Sequence, residues 1–170
     1  DRLLEAGKLT GADLDAVARQ IGPFHQQAAA ATPDGGWGTP AAVAAPARNN
    51  IASLRDQLGT DARVEALAEW TEAQLRTLEP VFRDRLNQGR VRECHGDLHL
   101  GNIVAVDGEP VIFDGIEFAP ELRWIDVINE IAFLTMDLRA RQRADLAALF
   151  LSTYLEITGD YAGAALLPFY

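Results

Sequence analysis

Cysteine is almost absent from this sequence of 170 residues, with Cys94 as the single example. One cysteine excludes an internal disulfide bond and a zinc cluster built from several cysteines. Because stable disulfides belong to oxidising compartments, this composition favours the reducing cytoplasm. The chain also has no apolar run that approaches the roughly 20 residues of a membrane-spanning helix. These absences predict a cytoplasmic protein that does not have a membrane as its partner.

Basic residues are scarce as well. The chain has 15 Lys and Arg against 25 Asp and Glu, for a net charge of -10, and Lys8 is its only lysine. Surfaces that bind nucleic acids concentrate Lys and Arg to neutralise phosphates, so this balance argues against DNA or RNA as a partner. The hydrophobic share of 48% is sufficient for a buried core. We therefore expect one globular domain over residues 1–170.

Helical patterns occupy most of the chain. Thr10 and Asp13 form the pattern of a helix cap, and apolar residues at helical spacing follow until Pro23, which we expect to kink or stop the helix. Residues 31–46 are rich in Pro, Gly and Ala, which predicts a connecting loop. Apolar periodicity predicts further helices over residues 50–58, 60–86, 125–138 and 144–157. Residues 125–138 are apolar on nearly all sides, which predicts burial at the centre of the domain.

The pattern changes at Val91, where short β-type runs alternate with turn residues. Residues 95–102 read His-Gly-Asp-Leu-His-Leu-Gly-Asn. The β-type runs 103–106 and 111–113 then flank an Asp-Gly turn, which predicts a hairpin. Since a hairpin returns the chain to its starting point, we expect Asp114 to lie beside Asn102.

Three polar residues in this region have the order that phosphoryl transfer requires. That chemistry uses a loop Asp to orient the attacking hydroxyl, an Asn five residues later and a second Asp after a short hairpin to hold metal ions. Asp97, Asn102 and Asp114 match this order. Asn and Asp offer the hard oxygen ligands that Mg²⁺ prefers, and ATP phosphates with water would complete its shell.

The loop at residues 95–102, followed by Ile-Phe-Asp at 112–114, resembles the aminoglycoside phosphotransferase family, whose fold is similar to that of protein kinases. Residues 92–97, 113–118 and 123–126 are similar to a bacterial branch of that family. Some members of the branch are fused to a P-loop ATP-binding domain. The resemblance implies a mainly α (α+β) fold: the C-terminal lobe of a kinase-like enzyme, with one small β-hairpin next to the catalytic loop.

The resemblance also implies roles for individual residues. Asp97 would be the catalytic base, and His95 would brace the loop. Asn102 and Asp114 would bind Mg²⁺ and, through it, the ATP cofactor. Asp126, on the central helix, would accept hydrogen bonds from the loop backbone as structural support. The implied enzyme is a small-molecule kinase that phosphorylates a hydroxyl acceptor.

Two further residues concern that acceptor. Glu117 and Glu121 are candidates to bind a cationic substrate, and a role as ordinary surface acids is equally open.

The family pattern is incomplete in this sequence. An N-terminal lobe normally covers the nucleotide and provides a lysine for its phosphates, but Lys8 lies outside any strand pattern and no Gly-rich loop follows a strand. We therefore expect a chain cut at both ends, in which the nucleotide lobe is absent and which is inactive alone. The missing lobe, and with it a fused P-loop domain, would be its partner.

Two alternative functions remain. His95 and His99 around Asp97 invite a zinc-hydrolase interpretation, but zinc pairs of that spacing lie on helices, whereas Gly96 and Gly101 indicate a loop. The other alternative is a non-catalytic binding or regulatory module that keeps the fold. The intact Asp97, Asn102 and Asp114 favour the enzyme.

The remaining candidates have structural interpretations. We expect a buried packing role for Cys94, local hydrogen bonding for His99, a structural role for His25, a core position for Trp124 and a loop anchor at Trp37.

Overall fold

The computed structural model describes residue 4 and residues 6–170. The helices are α1 (Gly11–Gln27), α2 (Pro40–Leu58), α3 (Ala62–Asn87), α4 (Pro120–Arg123), α5 (Val127–Ala140) and α6 (Ala144–Thr158). The strands are β1 (Val91–Glu93), β2 (Ile103–Val106), β3 (Glu109–Ile112) and β4 (Trp124–Asp126). Short 3₁₀ turns cover Pro33–Gly35, Leu100–Asn102 and Tyr161–Leu166. Helix accounts for 65% and strand for 9% of the chain, which confirms the mainly α prediction.

The predicted hairpin is formed by β2 and β3. Ile103 lies opposite Ile112 and Val106 opposite Glu109, which leaves Asp107 and Gly108 as a two-residue turn. Both turn residues have positive φ, 53° and 86°, as a type I′ turn requires.

A second ladder was not predicted. β1 pairs antiparallel with β4, with Val91 opposite Asp126. The predicted helix at 125–138 therefore begins only at Val127, because residues 124–126 are held extended against β1.

The first helix begins as the sequence indicates and ends later. The Thr10 hydroxyl accepts from the Asp13 amide, and the Asp13 carboxylate accepts from the Thr10 amide. Pro23 lies inside α1 and does not stop it, since the helix continues to Gln27. The last turn carries the buried His25, so tertiary packing outweighs the local preference of proline.

The predicted loop at residues 31–46 is too long by seven residues, because α2 begins at Pro40. Thr39 caps this helix, with its hydroxyl 3.2 Å from the amide of Ala42, and proline suits the first helical position. The following alanines have the highest helix propensity. The predicted helix from Thr60 is α3, which Asp61 caps through the Arg63 amide at 2.8 Å.

The core lies between α1, α5 and α6. Helix α5 is its centre, as predicted for an apolar helix: Ile128, Ile131, Leu134 and Leu138 are all inaccessible to solvent. A smaller cluster of Ala31, Leu86 and Val91 lies beside β1, and Trp37 and Trp124 pack against it, each partly buried. No helix in the described range is both long and apolar enough to cross a membrane.

A buried ion network joins α3 to the start of α5. The Arg85 guanidinium donates to both carboxylate oxygens of Asp126, at 2.5 and 2.8 Å, and to both of Asp160, at 2.9 and 2.7 Å. Burial alone would lower the pKa of Arg85, but the hydrogen bonds and charges of the two carboxylates raise it overall. Arg85 therefore remains charged and neutralises part of a buried acidic pair.

Arg85→Ala should destabilise the fold by about 3–5 kcal/mol, because it leaves two buried carboxylates without their counter-ion. Arg83→Ala is the matched control, since Arg83 makes only an exposed pair with Glu79 on the same helix and should cost below about 0.5 kcal/mol. Urea unfolding monitored by circular dichroism gives both values. Equal losses in the two variants would contradict the assignment of Arg85 as a buried anchor.

Candidate active site

The loop at residues 95–102 lies between β1 and β2, with its apolar residues turned into the core. Leu98 and Leu100 are buried, at 0% and 4% exposure. The side chain of Asp97 beside them remains 39% exposed. The loop is thus anchored by its leucines and presents a carboxylate at the surface.

Asp97 and Asn102 are in direct contact. The side-chain amide nitrogen of Asn102 donates to the backbone oxygen of Asp97 and to its Oδ2, both at 3.0 Å. Asn102 is buried and held in this orientation. Because its NH₂ group is committed to Asp97, Oδ1 is the atom that Asn102 can offer to a metal ion.

The hairpin returns Asp114 to this loop, as its spacing predicts. The amide of Phe113 donates to the backbone oxygen of Asn102 at 3.1 Å. On the other side of Asp114, the amide of Ile116 donates to the backbone oxygen of His95 at 3.0 Å. Asp114 itself is exposed and has a φ of 62°, a conformation that non-glycine residues adopt mainly where the surrounding structure imposes it.

His95 braces the two segments against each other. Its Nε2 lies 2.8 Å from the backbone oxygen of Phe113 and must donate to it, while Nδ1 accepts from the amide of Asp97 at 3.3 Å. These contacts connect the loop to the segment that carries Asp114. They assign the ring proton to Nε2 by hydrogen-bond balance.

His99 has a local hydrogen bond, as predicted, and a second contact that was not. Its Nδ1 accepts from the Gly101 amide at 3.0 Å, which leaves the proton on Nε2. That atom faces Oδ2 of Asp97 at 3.5 Å, and the ring packs edge-on against Phe133. His99 therefore lies next to the Asp97 carboxylate without a short hydrogen bond to it.

The support expected from Asp126 comes from a different residue. The amides of His95 and Gly96 donate to the Glu130 carboxylate, at 3.2 Å to Oε2 and 2.5 Å to Oε1. Asp126 instead caps α5 through the Ile128 amide at 2.9 Å and pairs with Arg85. The physical reason is that Asp126 is the last residue of β4, one helical turn before the position on α5 that faces the loop.

Asp137 adds a further support. The amide of Leu100 donates to its Oδ2 at 3.0 Å. Asp137 follows Glu130 by seven residues, so both lie on one face of α5. A sequence pattern could have identified Glu130 and Asp137, because two acidic residues seven apart stand out in a mostly apolar helix. Buried acids are rare unless they are paired.

The two candidate substrate acids lie in separate cavities. Glu117 lines a cavity of about 630 Å³ that also contains His95 and Arg123. Glu121 lines another of about 630 Å³, together with Trp37 and Asn129. The structure therefore does not bring the two glutamates together in one pocket.

A buried group behind the loop resembles a metal site in composition. Ligand atoms of His25, Cys94 and Glu130 lie within 4.8 Å of one another, and no other such group occurs in the part of the chain described. Burial, and then the charge of Glu130, raise the pKa of the Cys94 thiol. A protonated thiol is a poor metal ligand. Cys94 is buried as predicted, and neither His95 nor His99 belongs to this group.

Comparison with known proteins shows the family to which this chain is similar. The model described as "Phosphotransferase enzyme family" matches residues 4–167. Similar curated proteins are the uncharacterized proteins Rv2004c and MT2060 of Mycobacterium tuberculosis and Mb2027c of Mycobacterium bovis, each 34% identical over 171 residues. The match covers 99% of this chain and 34% of each relative, so the chain spans about a third of their length. No solved structure gave a significant match.

Gly96→Ala should disrupt the loop, because Gly96 has a φ of +88° and an added Cβ would lie 2.8 Å from the backbone oxygen of Leu122. Gly108→Ala is the matched control: its φ is +86°, and an added Cβ would meet nothing within 4 Å. We expect Gly108→Ala to cost about 1–2 kcal/mol of unfolding free energy for the backbone alone. Gly96→Ala should cost about 1–3 kcal/mol more for the overlap. Equal costs in urea unfolding would show that the loop can move away from Leu122.

Proposed function

The chain belongs to the phosphotransferase enzyme family, and from that premise we propose that it provides the catalytic base and metal ligands of a small-molecule kinase that uses ATP and Mg²⁺. The acceptor is a hydroxyl group. The observation that carries the proposal is the joined geometry of the loop: Asn102 contacts Asp97 directly and is linked by its backbone to the residue before Asp114.

Asp97 has the properties required of the base. Its carboxylate is partly exposed, so an acceptor hydroxyl can reach it, and the side-chain amide of Asn102 holds its orientation. In the proposed reaction the acceptor oxygen forms a bond to the γ-phosphorus while the bond to the β-phosphate oxygen breaks. The hydroxyl proton passes to Asp97, and ADP leaves.

Asn102 and Asp114 have the donor chemistry that Mg²⁺ requires. The amide orientation leaves Oδ1 of Asn102 as a neutral oxygen ligand, and Asp114 adds an exposed carboxylate. Both are hard oxygen donors and fit this ion. Bound Mg²⁺ would neutralise charge on the transferring phosphates. The protein's own contribution is to hold the two ligand segments together through Phe113 and His95.

The cavity that contains Glu121 is our proposed acceptor site. Leu122, which also lines it, lies against Gly96 at the base of the catalytic loop. Trp37, Trp124 and Asn129 supply flat apolar surfaces and an amide, a combination suited to a small polyhydroxylated or amino alcohol. Glu117, in the other cavity, is the second candidate for contact with a cationic group of the acceptor.

We also propose that the chain is the C-terminal lobe of the enzyme. Its relatives are about three times as long, which leaves room for a nucleotide-covering lobe and for a fused P-loop domain. Lys8, the only lysine in the sequence, has no strand among the described residues near it that would place it against phosphates.

Asp97→Asn should reduce kcat for phosphoryl transfer by about 10²- to 10⁴-fold in the full-length protein, the usual contribution of a positioned base. The assay is ATP consumption against a library of hydroxyl compounds. Asp107→Asn is the matched control, because Asp107 is exposed in the hairpin turn and asparagine suits that turn equally well. Unchanged turnover in Asp97→Asn would refute the base assignment. An inactive wild-type protein that still binds a hydroxyl compound would favour the non-catalytic module.

Asp114→Asn should raise the Mg²⁺ concentration needed for half-maximal activity by about tenfold or more, since it removes the only charge that the chain's two proposed ligands provide. Asparagine is the informative replacement because it tolerates the positive φ at this position. Activity is measured over a titration of free Mg²⁺ at saturating ATP. An unchanged Mg²⁺ requirement would exclude Asp114 as a ligand.

A further inference from the structure

A buried chain of hydrogen bonds runs from α6 through α1 and α5 to the catalytic loop. The hydroxyl of Tyr154 lies 2.9 Å from Nδ1 of His25, and Nε2 of His25 lies 2.7 Å from Oε2 of Glu130. Glu130 in turn holds the amides of His95 and Gly96. The side chains of His25 and Glu130 are 2% and 0% exposed, and Tyr154 is inaccessible.

The donors and acceptors in this chain balance when Tyr154 donates to His25 and His25 donates to Glu130. Burial raises the pKa of Tyr154, so its hydroxyl keeps its proton and donates to Nδ1 of His25. The ring proton then lies on Nε2 and is donated to Glu130. The carboxylate of Glu130 thus receives three N–H groups: those of His25 and His95 at Oε2 and that of Gly96 at Oε1.

His25 determines the rotation of the Glu130 carboxylate. A carboxylate on a flexible side chain can turn about its last bond, and the two loop amides alone hold it from one side. His25, on α1, adds a third contact at Oε2, the oxygen that also accepts from the His95 amide. Since the bonded amides belong to the two residues immediately before Asp97, a turn of Glu130 would move the base.

We propose that His25 is a positioning residue for phosphoryl transfer, which acts through Glu130 to hold the backbone that presents Asp97. His25 itself touches neither the acceptor nor the proposed metal ligands. The catalytic part of this inference rests on the proposed function, while its structural part does not. The loop is thereby tied to the packed pair of helices α1 and α6 as well as to α5.

The same side chains with Cys94 could be interpreted as a transition-metal site, and the hydrogen bonds argue against it. Cys94 donates weakly to the backbone oxygen of Ile125 at 3.7 Å. Nε2 of His25 is hydrogen-bonded to Glu130 at 2.7 Å, so a metal held by these residues would have to replace that hydrogen bond and bind a thiol whose pKa is raised by burial. The network of hydrogen bonds is complete without an ion, since no buried side-chain polar atom in the described residues lacks a partner.

The test compares His25→Gln with His25→Leu. Glutamine places an amide N–H near the position of Nε2 and can still donate to Glu130, whereas leucine fills similar space without a donor. In His25→Leu, amide hydrogen exchange at His95 and Gly96 should accelerate by about tenfold or more, as expected for loss of a charge-assisted hydrogen bond. The Leu100 amide, held by Asp137, should not change. His25→Gln should keep all three rates within about threefold of wild type.

The activity measurement uses the full-length protein. His25→Leu should lower kcat by about 10- to 100-fold with little change in KM for ATP, and His25→Gln should restore most of it. A role in folding alone would lower only the fraction of active protein, so kcat is calculated per folded molecule, with the folded fraction measured by circular dichroism, and would then equal the wild-type value. If His25→Leu does not fold, Tyr154→Phe removes the donor that fixes the ring tautomer, and the exchange of the same two amides should rise.

The outcomes separate the two proposals. Equal exchange rates at His95 and Gly96 in wild type, His25→Leu and Tyr154→Phe would overturn the positioning role. The expected exchange pattern in a protein without kinase activity would support the positioning and refute the proposed function. One equivalent of zinc bound in equilibrium dialysis by wild type, and lost in His25→Leu, would show a metal site and overturn the hydrogen-bond assignment.

Discussion

The candidate site depends on one interaction: the backbone amides of His95 and Gly96 in the loop donate hydrogen bonds to the Glu130 carboxylate. A loop at the surface has few ways to become rigid, because its backbone groups lie outside any ladder. Glu130 supplies the acceptor from inside the core, where the low dielectric strengthens each bond. Asp137 repeats the arrangement two turns later for Leu100. Side chains of helix α5 therefore accept the hydrogen bonds that, in a sheet, a neighbouring strand would accept from the backbone.

The buried charges around α5 form two networks with different tasks. Arg85, Asp126 and Asp160 join α3 and the C-terminal turn to the start of the helix. This network holds Asp126, the N-cap of α5, in place. It therefore also determines where Glu130, one turn into the helix, lies relative to the loop. Neither network tolerates loss of one member well, because a buried carboxylate without its donors bears the full cost of desolvation.

The sequence predicted the parts of this structure that local patterns determine. The hairpin followed from an Asp-Gly turn between β-type runs, and the loop with Asp97, Asn102 and Asp114 from residue order. Glu130 was missed because its partners are backbone amides 34 and 35 residues away, which have no pattern of their own. The early start of α2 was missed because proline is typical of both loops and first helical turns.

Burial divides the acidic residues near the loop into two classes. Glu130 and Asp126 are nearly inaccessible, at 2% and 3% exposure, and their oxygens are committed to N–H donors. Asp97 and Asp114 are exposed enough to meet a hydroxyl or a cation, and Asp114 is kept in a backbone conformation that its neighbours impose. A buried carboxylate whose oxygens already accept several N–H groups is suited to holding a backbone in place. The proposed chemistry therefore uses the exposed pair, Asp97 and Asp114, while the buried pair, Glu130 and Asp126, holds the surrounding backbone in place.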